Sequence, residues 1–393
     1  MNEQPRTATQ AIKQTEGNVQ EAARIMGVAR GAFRAMLEQE AVAAALGEAP
    51  AEELTLIEEH HLRREIKRAK GERDTALKEL ETAQARVAVL EKLEGVELSP
   101  PEWTVKTPKD KVHHAIVTAF LSDTHFDEVV KASEMGGVNA YDRSIALLRL
   151  QKFFRGVIKL SSNYIAGVKI DGLVLPLGGD MVSGNIHEEL ERTNEHPILD
   201  TVDFWPDQIA AGIELLLQYF PKVHVPCVVG NHGRLRKQKS FKTRVRDNYD
   251  WLIYRQLAKY FRDNPNVTFQ IPDAPECQYE IYNVKFALSH GDEFTGGNGI
   301  GGMAVPIMRG DAKQQKRASA TNQPYHVRLI GHWHNRLDFG SVRVNGSLKG
   351  YDEYARGMNF DFQLPQQDLF VTTPERGITI STPVYVRDKR EKW

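Results

Sequence analysis

Nine Asp, Asn and His side chains stand in five short clusters, each at the end of an apolar run. The clusters are Asp123-Thr124-His125, Gly178-Gly179-Asp180, Gly230-Asn231-His232, His290-Gly291-Asp292 and Gly331-His332-Trp333-His334. Imidazole, carboxylate and amide oxygen suit Mn, Fe, Zn or Mg, and the clusters contain no Cys of the kind that structural zinc sites use. Two metals about 3.5–4 Å apart can bind both the attacking and the leaving oxygens of a displacement at phosphorus. The clusters therefore predict a metal centre for phosphoester chemistry.

The apolar runs before the clusters are the elements that must position them. They read AIVTAFLS, GLVLPL, KVHVPCVV, VKFALS and HVRLI, and helical stretches separate them. This alternation predicts an α/β domain. In such domains, sites form in the loops beyond the carboxyl ends of the strands, so all five clusters are expected to meet in one place.

The five blocks, in this order, resemble the calcineurin-like metallophosphoesterase superfamily over residues 115 to 335. The resemblance implies a four-layer α/β/β/α sandwich and two divalent metal ions, with Mn²⁺ the first choice and Mg²⁺, Fe²⁺ or Zn²⁺ as alternatives. It implies that Asp180 bridges the two ions and that His232 binds a phosphate oxygen and protonates the leaving group. The remaining implied ligands are Asp123, His125 and His334 for one ion and Asn231, His290 and His332 for the other.

Two positions depart from that pattern. Many family members carry Asp or Glu after the Gly-Asn-His, where it orients the catalytic His, but Gly233 stands here. Phosphoprotein phosphatases of the family carry another Asp soon after the bridging one, whereas Met181 and Val182 follow Asp180. The second departure favours nuclease-like or general phosphodiesterase members.

Several His and Asp residues outside the ligand set have less specific interpretations. His187 is close enough in sequence to Asp180 to reach a substrate, whereas surface or hydrogen-bonding roles are expected for His196, His224 and His326. Asp127 and Asp292 are interpreted as partners of the ligands or as loop caps.

Residues 1–48 predict a compact group of helices: Thr9 to Gln14, Val19 to Met26 and Arg30 to Glu38. Gly17 and Asn18 are expected to cap the first two. The stretch GNVQEAARIMGVARGAFRAML resembles the helix-turn-helix of Fis-type DNA-binding proteins. That resemblance implies that Arg30 and Arg34 approach DNA on a recognition helix. The alternative is a small dimerisation or packing module.

Residues 51–97 contain a heptad pattern that runs from Leu62 to Leu90 with alternating spacings of four and three. This period predicts a coiled coil and hence a homodimer, although Arg73 and three Ala residues weaken the seam. The alternatives are one long solvated helix or an antiparallel hairpin. The Pro pair at positions 100 and 101 ends the helical region, and the phosphoesterase domain is expected over residues 113–393.

The loop after His232 is strongly basic. Residues 234–246 hold seven Lys or Arg and no acidic residue, and Arg234, Arg236, Lys237 and Lys239 stand first among them. This density suits a polyphosphate backbone, and Phe241 could stack on a base. The alternative is a solvated cationic helix. The Gly-rich segment 295–302 is interpreted as a flap over the site, with a phosphate-cradling loop as the alternative. Positive charge continues beyond it at Arg309, Lys313, Lys316 and Arg317.

The whole chain has 393 residues, a formal net charge of −1 and two Cys, so DNA binding must rest on local charge. The two isolated Cys predict a cytoplasmic protein without disulfides. No apolar run has the length of a membrane span, so no contact with a membrane is expected. The architecture also resembles phosphoesterases of tailed phages. Together these observations favour a metal-dependent DNA nuclease. The alternatives are a phosphomonoesterase or small phosphodiesterase, or a DNA-bound regulatory or scaffold protein.

Overall fold

A computed structural model describes residues 7–45, 70, 71, 73, 99–110, 112–296 and 302–391. The chain divides into two compact units, Met1–Val89 and Leu90–Trp393. Nearly all of the heptad region, and residues 297–301 of the Gly-rich segment, lie outside the described residues. The coiled coil, the homodimer and the flap therefore stay predictions.

Residues 7–45 of the first unit form three helices: α1 Ala8–Gln14, α2 Val19–Ile25 and α3 Arg30–Ala45. The side-chain oxygen of Asn18 accepts the backbone N–H groups of Gln20 and Glu21, as an N-cap does. Gly17 has a φ of 89°, which suits the end of α1. Phe33 is fully buried in the small core between the helices. The predicted N-cap is thus present, whereas the C-cap of α1 is Thr15 and Gly17 lies two residues beyond it.

Helix α3 is longer than the sequence suggested, because it runs to Ala45 and does not end at Glu38. No Gly or Pro follows Glu38 before Ala45, and Ala is the residue that most favours a helix. The Ala-rich stretch therefore continues α3 to Ala45.

The second unit contains both β-sheets. Its helices are α4 Glu102–Val105, α5 Arg143–Asn163, α6 Glu188–Thr193, α7 Ile198–Leu217, α8 Tyr249–Tyr260, α9 Ala304–Ala320 and α10 Glu353–Gly357. Its strands are β1 His114–Ala119, β2 Lys169–Val174, β3 Val223–Pro226, β4 Val267–Gln270, β5 Glu276–Ile281, β6 Val284–Ser289, β7 Val327–Ile330, β8 Leu337–Asp338, β9 Val342–Val344, β10 Gln366–Thr373 and β11 Gly377–Tyr385. None of the described helices is long and apolar enough to span a bilayer.

The strands form a six-stranded sheet in the order β11-β10-β1-β2-β3-β4 and a five-stranded sheet in the order β5-β6-β7-β9-β8. In the first sheet β1, β2, β3 and β4 are parallel neighbours, and β10 pairs antiparallel with β1. In the second sheet β6, β7 and β9 are parallel, and β5 is antiparallel to β6. The three strands β1 to β3 and the pair β6 and β7 carry the five clusters at their carboxyl ends.

Alternate residues along β1 pack on opposite faces of the first sheet. Ala115 and Val117 belong to the core under α5, α7 and α8, whereas Ile116 packs on the other face against the second sheet. On the far side of the second sheet, Ile307 of α9 packs on Val344 of β9. The layers are therefore helices, sheet, sheet and helix. The predicted four-layer α/β sandwich is confirmed.

The regular strands are shorter than the apolar runs. β1 ends at Ala119, yet the run continues through isolated parallel bridges that join Leu121 to Leu177 and Leu177 to Cys227. Pro176 and Pro226 stand beside these bridges, and proline supplies no N–H to a ladder. The runs thus remain extended up to the clusters, although the hydrogen-bond ladder is interrupted.

Candidate metal centre

The predicted ligands converge at one edge of the two sheets. Three groups place their ligand atoms within 4.8 Å of one another: Asp123 with His125 and His334, His125 with Asp180 and His232, and Asp180 with His290 and His332. The amide oxygen of Asn231 lies 3.2 Å from His290 Nε2 and so joins the third group. Shared members connect the groups into one continuous cluster.

Five of these residues have a left-handed backbone. Their φ angles are 52° at Asp123, 44° at His125, 50° at Asp180, 67° at His332 and 56° at His334. Non-glycine residues rarely adopt this conformation, and it concentrates at functional sites because the surrounding structure must enforce it. Backbone hydrogen bonds from Asp123 N to Gly179 O (3.1 Å) and from His125 N to Asp180 O (3.0 Å) join two of these loops.

His290 shows why the cluster suits a cation. Its Nδ1 lies 2.8 Å from the carbonyl oxygen of Gly178, which can only accept, so Nδ1 carries a proton. Its Nε2 faces Asp180 Oδ2 at 2.9 Å and Asn231 Oδ1 at 3.2 Å. Burial alone would lower the pKa of His290, but the charge of Asp180 raises it to about 10. The two oxygens therefore require a positive charge at Nε2, which either a proton or a metal ion supplies.

Two other imidazoles of the cluster, those of His125 and His332, are neutral. His125 Nε2 lies 3.0 Å from His334 Nε2, which in turn lies 3.5 Å from Asp123 Oδ1. Burial lowers the pKa of His125 to about 4 and that of His332 to about 4. Neutral imidazole is the form that binds metals. Two carboxylates, one amide oxygen and four imidazoles thus form a donor set that fits divalent cations.

His232 is held in one tautomer. Its backbone N–H donates to Asp180 Oδ1 at 2.7 Å, and its Nδ1 lies 2.9 Å from the carbonyl oxygen of Ser183. Because that oxygen can only accept, Nδ1 carries the proton and Nε2 is the atom left to exchange one with a substrate. The Ser183 carbonyl oxygen therefore orients the His232 ring, as a carboxylate at position 233 does in many members of the family that the sequence resembles.

Gly233 also has a steric reason. A Cβ at this position would lie 2.3 Å from Asn248 Oδ1, and Asn248 caps α8 by accepting the N–H of Asp250. No carboxylate side chain fits there without displacing that cap. The departure from the family pattern is thus built into the packing of the loop against α8.

Asp250 ties two of the ligand loops together. Its Oδ2 accepts the backbone N–H groups of Asp180 (2.9 Å) and Gly230 (2.8 Å), and its Oδ1 accepts that of Met181 (3.1 Å). Burial, and then the charge of Asp180, raise the pKa of Asp250 to about 7. The sequence offers no signal for this role, because Asp250 lies in α8, far along the chain from both loops.

Glu128 and Lys349 form a buried ion pair behind His125. Lys349 Nζ lies 2.7 Å from Glu128 Oε1 and also contacts Asp352. The other oxygen, Glu128 Oε2, lies 3.3 Å from His125 Nδ1, at ion-pair distance although outside hydrogen-bond geometry. A carboxylate at Nδ1 favours the proton there and leaves Nε2 to face the cluster. Spacing of three residues from His125 is the one sequence signal that points to Glu128.

The remaining histidines separate into two kinds. The ring of His187 lies 5.5 Å from that of His232, and the residue is exposed, so it borders the site. His196 lies 3.7 Å from Glu195, His224 is buried between Thr268 and Gln270, and His326 accepts the N–H of Lys285.

The two acidic residues near the ligands make ion pairs. Asp127 binds Arg143 through both oxygens at 2.6 and 2.7 Å and accepts from Trp205. Asp292 binds Lys239 at 3.0 Å and Arg244 at 2.5 Å. Asp127 thus stabilises the start of α5, and Asp292 attaches the basic loop to the loop that follows β6.

Residues 234–246 contain no helix, so the alternative of a solvated cationic helix is wrong. Four of their seven cations form ion pairs with carboxylates. Lys239 and Arg244 pair with Asp292, as described above. The remaining two pairs are Lys237 with Glu191 at 3.1 Å and Arg246 with Asp273 at 2.9 Å. Arg234 donates to the carbonyl oxygens of Arg236 and Lys237. The loop is therefore anchored, with its cations beside Asn231.

Comparisons with known proteins give matches among solved structures alone. No family model and no curated protein matches the chain. A point mutant of Vps29 from Entamoeba histolytica matches at 12% identity and a TM-score of 0.27, over 68% of this chain and 98% of that one. A predicted phosphoesterase from Streptococcus pneumoniae matches at 10% and 0.25, over 68% and 97%. The sulfate thiohydrolase SoxB from Thermus thermophilus matches at 10% and 0.26, over 71% and 58%.

Proposed function

We propose that this chain is a metal-dependent phosphodiesterase of the calcineurin-like metallophosphoesterase type and that its substrate is DNA. The observation that carries the proposal is the convergence of all the predicted ligands, from five strand ends in two sheets, into one cluster. A structural role alone would not require five left-handed backbones and buried oxygens that demand a cation.

The proposed centre holds two divalent ions, with Mn²⁺ the first choice. Asp123, His125 and His334 would bind one ion, Asn231, His290 and His332 the other, and Asp180 would bridge them. Such ions supply Lewis acidity that neutralises phosphate oxygens and makes water a nucleophile near neutral pH.

His232 would perform the proton transfer. Since Ser183 holds the proton on Nδ1, a second proton on Nε2 would be available to a phosphate oxygen or to the leaving oxygen. The hydrogen bond from His232 N to Asp180 ties the position of this group to that of the bridging ligand. His187, on the solvent side of His232, would contact the substrate.

Charge placement supports DNA as the substrate. Arg234, Arg236, Lys237 and Lys239 follow the catalytic cluster directly in the chain. In the first unit Arg30 and Arg34 are both exposed, one turn apart at the start of α3, which suits a recognition helix. A homodimer through residues 51–97 would pair two such helices.

The test of the activity is cleavage of labelled DNA in Mn²⁺ by the wild type and by His232→Ala, with EDTA as a control. We expect cleavage by the wild type alone and none in the presence of EDTA. Hydrolysis of bis(p-nitrophenyl) phosphate without DNA cleavage would instead identify an enzyme for small phosphodiesters.

The test of the first unit is an electrophoretic shift of duplex DNA in EDTA, which removes cleavage. We expect Arg30→Ala/Arg34→Ala to abolish the shift, and Lys13→Ala, which changes an exposed cation of α1, to preserve it. Equal shifts by both variants and the wild type would assign the three helices to packing or dimerisation.

A further inference from the structure

An open pocket adjoins the candidate metal centre on the side of Asn231. Four cations line it, namely Arg234, Arg236, Lys239 and Arg244, together with two carboxylates. The lining thus has an excess of two positive charges.

Three of the four cations of the pocket, Arg234, Lys239 and Arg244, are held in place before any substrate arrives. Asp292 binds both Lys239 and Arg244, so one carboxylate fixes two positive charges and leaves one of them uncompensated. The guanidinium of Arg234 is held by the carbonyl oxygens of Arg236 and Lys237, which leave its charge intact. A preorganised cationic wall of this kind binds phosphate at a lower entropic cost than mobile lysines do.

Phe241 stands next to this wall. Ser240 lines the pocket, and Phe241 follows it with 88% of its surface exposed. A phenyl ring in that position contributes almost nothing to the folded core, since its apolar surface stays in water. An aromatic ring beside a cationic groove is the arrangement on which single-stranded nucleic acids bind, with bases on the ring and phosphates along the cations.

We propose that the pocket is a subsite for the nucleotide adjacent to the scissile phosphate, and that the enzyme acts on unpaired DNA whose base stacks on Phe241. The proposal rests on the proposed function and names its substrate class. In a duplex each base already stacks on its neighbours, so only an unpaired base offers a free face to Phe241.

The experiment compares Phe241→Ala with Phe241→Trp in steady-state cleavage of a single-stranded oligonucleotide and of the same sequence as a blunt duplex. The matched control is Tyr164→Ala, which removes a 69% exposed aromatic ring from the end of α5, before the amino end of β2. Stacking contributes about 1–3 kcal/mol per base. We expect Phe241→Ala to raise KM for the single strand about tenfold, and Phe241→Trp and Tyr164→Ala to keep it at the wild-type value.

The salt dependence of the same reaction tests the pocket. A single-strand phosphate contact contributes a slope of about 0.7 in log affinity against log salt. We expect Arg236→Ala to lower the slope by about that amount, and Lys222→Ala, an exposed cation before β3, to leave it unchanged.

Three results would overturn the subsite. They are an unchanged KM in Phe241→Ala, equal kcat/KM of the wild type on single strand and duplex, and an unaltered salt slope in Arg236→Ala. Failure of the proposed function looks different, because bis(p-nitrophenyl) phosphate would then be hydrolysed in a His232-dependent reaction while neither form of DNA was cleaved.

Discussion

The substitution Glu128→Gln tests the ion pair behind His125. In the wild type the charge of Lys349 holds the pKa of Glu128 well below its usual range, against the effect of burial, so Glu128 presents a carboxylate to His125 Nδ1. In the Gln variant, the side-chain oxygen at position 128 would accept from Lys349. The NH₂ group of the same side chain would then face His125 Nδ1. That group donates, so the proton of the imidazole moves to Nε2. His125 then loses the lone pair that the metal needs.

The expected magnitude follows from the contacts. Replacing a partner of a metal-bound His typically weakens metal binding 10–100-fold, which is about 1.4–2.8 kcal/mol. Lys349 keeps Asp352 as a second carboxylate, so its charge stays paired. We therefore expect a loss of only about 2 kcal/mol in the free energy of unfolding, less than for a fully broken buried pair.

The assay is isothermal titration of metal-free protein with Mn²⁺, alongside urea denaturation. The matched control is Asp352→Asn, which removes the other carboxylate of Lys349 but does not touch His125. We expect similar destabilisation in both variants and weakened Mn²⁺ binding in Glu128→Gln alone. Equal weakening in both would refute the tautomer argument and attribute the effect to the charge of Lys349.

Three further changes test other parts of the structure. Gly233→Ala would place a Cβ 2.3 Å from Asn248 Oδ1, so we expect overpacking to cost about 1–3 kcal/mol; an unchanged Tm would contradict the packing described for this loop. His187→Ala should lower kcat about tenfold and leave Tm within about a degree, because its ring borders His232 and carries no core packing; a wild-type kcat would make it an ordinary surface residue. Burial lowers the pKa of His224 to about 4, below its value near 6.5 in the unfolded chain. As pH falls, the unfolded chain therefore takes up the proton first. The stability that is present above pH 6.5 is lost as pH falls toward 4. The full loss in the free energy of unfolding is about 3 kcal/mol. In urea denaturation from pH 7 to 4.5, the stability of His224→Gln should depend less on pH than that of the wild type. Identical pH profiles of stability would refute the lowered pKa of His224.

The four-layer architecture was expected from the family resemblance, whereas the strands themselves were predictable because their cause is local. The period-two alternation in β1, with Ala115 and Val117 on one face and Ile116 on the other, follows from strand geometry alone. Strand ends were less predictable, since Pro176 and Pro226 interrupt the ladder while the backbone stays extended. The predicted end of α3 was too early, because no Gly or Pro interrupts the helical sequence before Ala45.

The sequence by itself determined which side chains could bind metal and in what order they occur, because ligand chemistry belongs to the residue type and each cluster is a few residues long. Tertiary structure alone decided how those side chains are held. The carbonyl oxygen of Ser183 that orients His232, the Asp250 carboxylate that joins two loops and the Lys349 charge behind His125 all come from distant parts of the chain. A backbone carbonyl is the same in every residue, and a long-range contact leaves no local pattern, so neither can be read before the chain is folded.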